Sequence, residues 1–156
     1  MENYYLNVNG NNYKIVGDKN ESLLNILREK LNLTGAKCGC ETGTCGTCKV
    51  IIDGKAIKSC RVKGFDLQKS KIETIEGLAD GYKLHPIQEA FIEAGAIQCG
   101  FCTPAMILTT KALLNENKNP TEEEIRFAFR ENLCRCTGYV QIVEAVKIAA
   151  EKLGGV

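Results

Sequence analysis

The sequence contains no G-x-G-x-x-G fingerprint and no P-loop, so it offers no backbone cradle for a dinucleotide or a nucleoside triphosphate. Charge of one sign is also missing. Twenty basic residues stand against nineteen acidic ones, a net +1, which gives no basic field for nucleic acid and no acidic tail. No stretch approaches the ~18 apolar residues of a membrane span, and the N-terminal MENYYLNVNG has neither a basic flank leading into an apolar segment nor a small-residue cleavage site. The expectation is a cytoplasmic chain that neither crosses a membrane nor binds nucleic acid. Internal repeats and low-complexity segments are absent as well. The 156 residues, 44% of them hydrophobic, suffice for one ordinary domain or two small ones.

What is abundant is cysteine. Nine cysteines, an odd number in a reducing compartment, argue against a disulfide framework and make metal the leading reading. Histidine contributes nothing to such a site, because the only one is His85.

Polar and apolar residues roughly alternate from Tyr4 to Val16 around Asn9-Gly10, which predicts two strands and a tight turn. Leu23, Ile26, Leu27 and Leu31 recur at helical spacing after Asn20-Glu21-Ser22, predicting an amphipathic helix of about ten residues. Val50-Ile51-Ile52 runs into the hairpin signal Asp53-Gly54, with Ala56 to Cys60 as the returning strand and Ile72 to Ile75 as a last short one. After Gly77 the pattern turns helical. His85-Pro86 opens a helix to about Ala94, and Pro104 opens another to about Asn115. Thr121 and Glu124 form a capping box for a third, to about Glu131. A fourth runs from about Val140 to Leu153 with Val143, Val146 and Ala150 on one face. The fold class expected is therefore α+β, with a boundary near residues 76 to 84. Each unit, at about 75 residues, is of a size at which a metal staple commonly supplements the core.

Eight cysteines fall into two sets of four. In KCGCETGTCGTCK, Cys40-x4-Cys45-x2-Cys48 is followed after eleven residues by Cys60, the spacing of a plant-type 2Fe-2S centre. Gly39, Gly43 and Gly46 are expected to give the loop positive φ angles that turn its amides toward cluster sulfurs. A structural zinc site is the alternative, since Cys45-x2-Cys48 alone is also a zinc half-site. Zinc sites usually pair two short knuckles, however, and here three cysteines in one loop meet one distant cysteine. Rieske-type ligation is excluded, because it takes two histidines. The second set is Cys99-x2-Cys102 and Cys134-x-Cys136, which fits four-thiolate zinc as well as a second cluster. Cys102 and Cys136 each precede a helix start, where the positive dipole end favours an anionic centre. Both candidate metals give the same formal charge of about −2 with four thiolates, and charge leaves the two readings open.

Taken together, GAKCGCETGTCGTCKVIIDGKAIKSC, QCGFCTP and NLCRCTGY resemble the small iron-sulfur subunit of the molybdenum hydroxylases, the family of xanthine dehydrogenase, aldehyde oxidoreductase, carbon monoxide dehydrogenase and nicotinate dehydrogenase. The resemblance spans nearly the whole chain. It implies a β-grasp, plant-type ferredoxin-like domain over residues 1–77 and an all-α four-helix 2Fe-2S domain over residues 78–156. The ligands it implies are Cys40, Cys45, Cys48 and Cys60 for one cluster and Cys99, Cys102, Cys134 and Cys136 for the other, with Cys38 left over. It further implies an electron path from a molybdopterin cofactor on a large subunit, through the helical-domain cluster and then the ferredoxin-like one, to FAD on a third subunit or another acceptor. Gln98 and Cys136 would lie against the pterin. Ala105 departs from the glycine the family commonly has after Thr-Pro, and His85 is expected simply to precede a helix. No substrate-converting residue is expected in this chain, and the substrate, an N-heterocycle such as nicotinate or a purine, would be set elsewhere. Two other readings are a free-standing ferredoxin-like carrier and a zinc-stapled interaction module.

Overall fold

Alternating burial makes the first strand. Tyr4, Leu6 and Val8 turn inward in β1 (Glu2–Val8), which pairs antiparallel with β2 (Asn11–Gly17) across Asn9 and Gly10. These two turn residues have φ of 52° and 79°, the left-handed pair that a two-residue hairpin turn requires. The computed structural model describes residues 1–154.

The Ser22 hydroxyl caps α1 (Leu23–Asn25) by accepting from the Asn25 amide at 3.2 Å. The predicted ten-residue α-helix does not persist. From Ile26 to Lys30 the chain widens into a π turn, with the Leu31 amide reaching back to the Ile26 carbonyl at 3.0 Å. The wider turn keeps Leu23, Ile26 and Leu27 all fully buried against the sheet.

Strand β3 (Lys49–Ile52) runs through Asp53-Gly54 into β4 (Lys55–Lys58), and β5 (Lys71–Glu73) completes a five-stranded sheet of order β2-β1-β5-β3-β4. β5 lies parallel to β1 and antiparallel to β3. The return strand ends two residues before Cys60, shorter than expected. There the Cys48 carbonyl accepts from both the Ser59 amide (3.3 Å) and the Ser59 hydroxyl (2.6 Å). With these two hydrogen bonds, Ser59–Arg61 curls into a 3-10 turn and Cys60 leaves the ladder.

Four further helices follow: α2 (Pro86–Glu93), α3 (Thr103–Glu116), α4 (Glu122–Ala128) and α5 (Val140–Lys152). His85 does more than precede α2. Its Nδ1 accepts from the Ile87 amide while the Gln88 side chain accepts from the His85 amide, a reciprocal cap of the kind Ser or Thr usually provides. Thr121 and Glu124 form the expected capping box on α4, though that helix stops at Ala128, before Glu131.

Two apolar cores result. One gathers β1, β3, β5 and α1 through Leu6, Leu23, Val50 and Ile72; the other gathers the helices through Phe91, Met106, Ile142 and Val146. Between them lie β3, buried at all four positions, and α3, buried around most of its circumference, Ala105 included. Val50 and Ile52 belong to the sheet core. By the two-residue period of a strand, Lys49 and Ile51 face the other way, toward α3.

Candidate metal centres

The loop after α1 owes its path to a few backbone angles. Glu41, Gly43 and Gly46 have φ of 57°, 79° and 73°, so Glu41 takes one of the left-handed positions expected of Gly39. Gly39 serves close approach instead. A β-carbon there would meet the Thr47 hydroxyl at 2.7 Å, Cys45 Sγ at 3.1 Å and the Phe101 ring at 3.3 Å.

Cysteine side chains of the first set meet in twos. The Cys45 amide donates to Cys40 Sγ at 3.4 Å and the two thiols also interact, while the Cys60 thiol lies against that of Cys48. The amide of Cys45, with the Thr42 hydroxyl, holds Cys40 down to about 5. Burial and then the Cys48 contact push Cys60 up to about 12. Metal capture by this set therefore has to release a proton from at least Cys60.

The second set repeats the arrangement. Cys136 Sγ and Cys99 Sγ stand 3.6 Å apart on an exposed face, and the thiols of Cys102 and Cys134 interact beneath them, buried. Cys102 sits at the N-cap of α3. Burial, with the Cys134 contact, pushes it up to about 12. Burial also acts upward on Cys134, but the Thr137 hydroxyl at 3.1 Å and the amides of Thr137 and Cys136 outweigh it and bring that thiol down. Tyr139 ties the loop together: its hydroxyl accepts from the Cys134 amide at 2.8 Å and donates to the Asn132 carbonyl at 3.0 Å. Gln98, the residue before Cys99, is exposed, as are Cys99 and Cys136.

Thiolates sharing one tetrahedral ion at a metal–sulfur distance of about 2.3 Å lie about 3.7 Å apart. The Cys99–Cys136 spacing matches one such edge. Among the described residues, no three cysteine, histidine or carboxylate side chains converge as a mononuclear site requires. Two pairs per set are the donor arrangement of a binuclear centre, in which each iron takes two thiolates, and the residues fit a 2Fe-2S group better than zinc.

The two loops are not independent, as their separation in sequence suggests. The Leu133 amide donates to the Cys45 carbonyl at 2.8 Å, and a cleft of about 190 Å³ has Cys45 on one wall and Cys102, Cys134 and Cys136 on the others. Gly46 is the point of closest approach. A β-carbon there would fall 1.9 Å from the backbone oxygen of Glu131. Next to it, Lys49 Nζ donates to Asn132 Oδ1 at 2.5 Å, and the Asn132 amide donates to the α3 hydroxyl of Thr109 at 3.1 Å, all three side chains buried. Burial draws the Lys49 ammonium below its usual range. Lys58 and Glu131 pair at 3.1 Å on the rim of the same seam. Sequence reasoning missed this seam, although a lysine opening the apolar run Val50-Ile51-Ile52 is a visible trace of it.

Comparison with known proteins agrees with the donor chemistry in both halves. Residues 6–79 match the family described as 2Fe-2S iron-sulfur cluster binding domain, and residues 74–147 match that described as 2Fe-2S binding domain. The chain is 49% identical to the nicotinate dehydrogenase small FeS subunit of Eubacterium barkeri over 94% of each. Among solved structures, it is similar to a chain of quinoline 2-oxidoreductase from Pseudomonas putida 86, at 39% identity and a TM-score of 0.92, covering 99% of this chain and 98% of that one. Aldehyde oxidoreductase from Desulfovibrio desulfuricans is 44% identical with a TM-score of 0.94, where 98% of this chain corresponds to 17% of that longer one.

Proposed function

The chain belongs to the small iron-sulfur subunits of the molybdenum hydroxylases, and from that membership we propose which of its residues hold the two clusters and how it faces its partners. It is the electron-transfer component of a multi-subunit oxidoreductase. Each bound 2Fe-2S centre supplies a one-electron ferric/ferrous couple.

Cys40 with Cys45 and Cys48 with Cys60 would hold the first centre. Cys99 with Cys136 and Cys102 with Cys134 would hold the second. The observation that carries this assignment is the 3.6 Å contact of Cys99 Sγ with Cys136 Sγ, together with the Cys45 amide on Cys40 Sγ at 3.4 Å. The chain divides at about residue 77 into a β-grasp, ferredoxin-like unit and a four-helix unit. Exposure of Gln98 and of the adjoining Cys99–Cys136 pair supports the reading that this part of the surface meets the molybdopterin of the large subunit, where the Gln98 amide can donate to and accept from the pterin edge. The loop around Glu41 to Thr44, exposed apart from Gly43, then looks toward an FAD-binding subunit or another acceptor. Likeness to the Eubacterium subunit favours nicotinate or a related N-heterocycle as the substrate of the assembly, and the assembly is cytoplasmic.

Anaerobic purification followed by iron, sulfide and zinc analysis tests the cluster assignment. About four iron and four sulfide per chain are expected, and stoichiometric zinc would overturn at least one set. Cys38, exposed and outside both quartets, provides a control. Its serine variant should keep the same iron content and visible spectrum, and loss of iron would show that the ligand list is wrong at Cys40. In the assembled enzyme, Gln98→Ala should keep both EPR signals while weakening retention of the molybdenum cofactor, and unchanged molybdenum content would remove Gln98 from the pterin site.

A further inference from the structure

Lys49 is a buried cation that the relay as described does not use. It follows Cys48 directly, its side chain points away from the sheet core toward α3, and the residue is only 6% exposed. Among the described residues its ammonium has one hydrogen-bond acceptor, the neutral Asn132 side-chain carbonyl at 2.5 Å. The carboxylate of Glu131 attracts it but is engaged by Lys58 at 3.1 Å on the exposed rim. Lys58 and Arg130 add positive charge to the neighbourhood.

A buried ammonium with only an amide partner is costly unless negative charge lies close by. Glu131 supplies part of that charge but shares it with Lys58, and the two quartets of thiolates near the seam would supply the rest. Cys48 is the preceding residue, and Asn132, which receives the ammonium, lies two residues before Cys134. Four thiolates, two sulfides and two ferric ions sum to about −2, and one added electron makes the centre about −3. A fixed positive charge stabilises the second state more than the first, because attraction grows with the charge it acts on.

We propose that Lys49 is a counter-cation shared by the two 2Fe-2S centres, held in the seam by Asn132 so that it raises the reduction potential of both. Lys49 is thus a tuning residue and touches no reacting group. The inference rests on the cluster assignment above.

Redox titration of the complete enzyme, followed through its two EPR signals, tests it. Lys49→Met is expected to shift both midpoint potentials downward. Thr109→Val, which removes the acceptor of the Asn132 amide but no charge, is expected to leave both where they are. The proposal fails if Lys49→Met moves neither potential or only one, or if Thr109→Val lowers both equally, since packing would then explain the shift. Should Lys49→Met lose a signal altogether, Lys49→Arg keeps the charge and must keep wild-type potentials, and a fall in either overturns the idea. Iron content separates the two readings. About four iron per chain in wild type and variants confines any failure to Lys49, whereas a wild-type chain without iron would overturn the cluster assignment and this proposal with it.

Discussion

Replacing Cys60 by serine is expected to lower the iron content from about four atoms per chain to about two and to remove one of the two EPR signals of the reduced protein. Cys60 reaches the first quartet from the turn after β4, brought there by the Ser59 bonds to the Cys48 carbonyl. Its loss would leave the first quartet with three thiolates while the second keeps all four. Cys60 is a cleaner choice than Cys45, whose carbonyl joins the other loop. Cys102→Ser should remove the other signal and spare the first. Iron analysis and low-temperature EPR on both variants decide the matter. Retention of four iron in either would exclude that cysteine as a ligand, and loss of both signals from the Cys60 variant would show that the second quartet does not assemble without the first.

Gly46→Ala is expected to destabilise the protein by at least about 2 kcal/mol. Left-handed backbone costs a residue with a β-carbon about 1 to 2 kcal/mol, and Gly46 sits at φ 73°. Beyond that, the new methyl would fall 1.9 Å from the Glu131 carbonyl oxygen, which is backbone and cannot swing aside. Relief requires the loop to lift, and lifting breaks the Leu133 to Cys45 hydrogen bond at 2.8 Å. Gly43→Ala is the control. Its φ is 79° but its β-carbon would meet only the flexible Arg61 side chain, so only the backbone cost should appear. Thermal unfolding of the two variants, with bound iron measured alongside, would refute the interpretation if their melting temperatures fell equally.

Local signals in the sequence were read well because local physics decides them. The hairpin turns at Asn9-Gly10 and Asp53-Gly54, the Thr121–Glu124 cap and the Pro86 and Pro104 helix starts all depend on residues a few positions apart. Cysteine spacing was legible for a similar reason, since ligand chemistry restricts the residue type. The π turn at Ile26–Lys30 was not, because its leucine and isoleucine spacing also suits an α-helix and tertiary packing selects between them. Nor was the early end of β4, which depends on two donors of Ser59 converging on a carbonyl eleven residues away. The seam was least visible of all: Lys49 and Asn132 are separated by 83 positions, and no periodicity relates them. The two quartets fall in different halves of the chain, and only the folded structure shows the loops that carry them joined by a hydrogen bond between Leu133 and Cys45.

That seam also changes where the molecule can be cut. The only covalent link between the halves runs through the turn at residues 80–84, where Gly81, Tyr82 and Lys83 are exposed and the backbone is held by the reciprocal Asp80–Lys83 pair. The halves meet elsewhere, through the Cys45–Leu133 backbone bond, the Lys49–Asn132–Thr109 chain, and the Lys111–Glu73 and Lys58–Glu131 pairs. A trypsin nick after Lys83 would therefore sever the chain without parting it, and the two fragments should still migrate together on a sizing column.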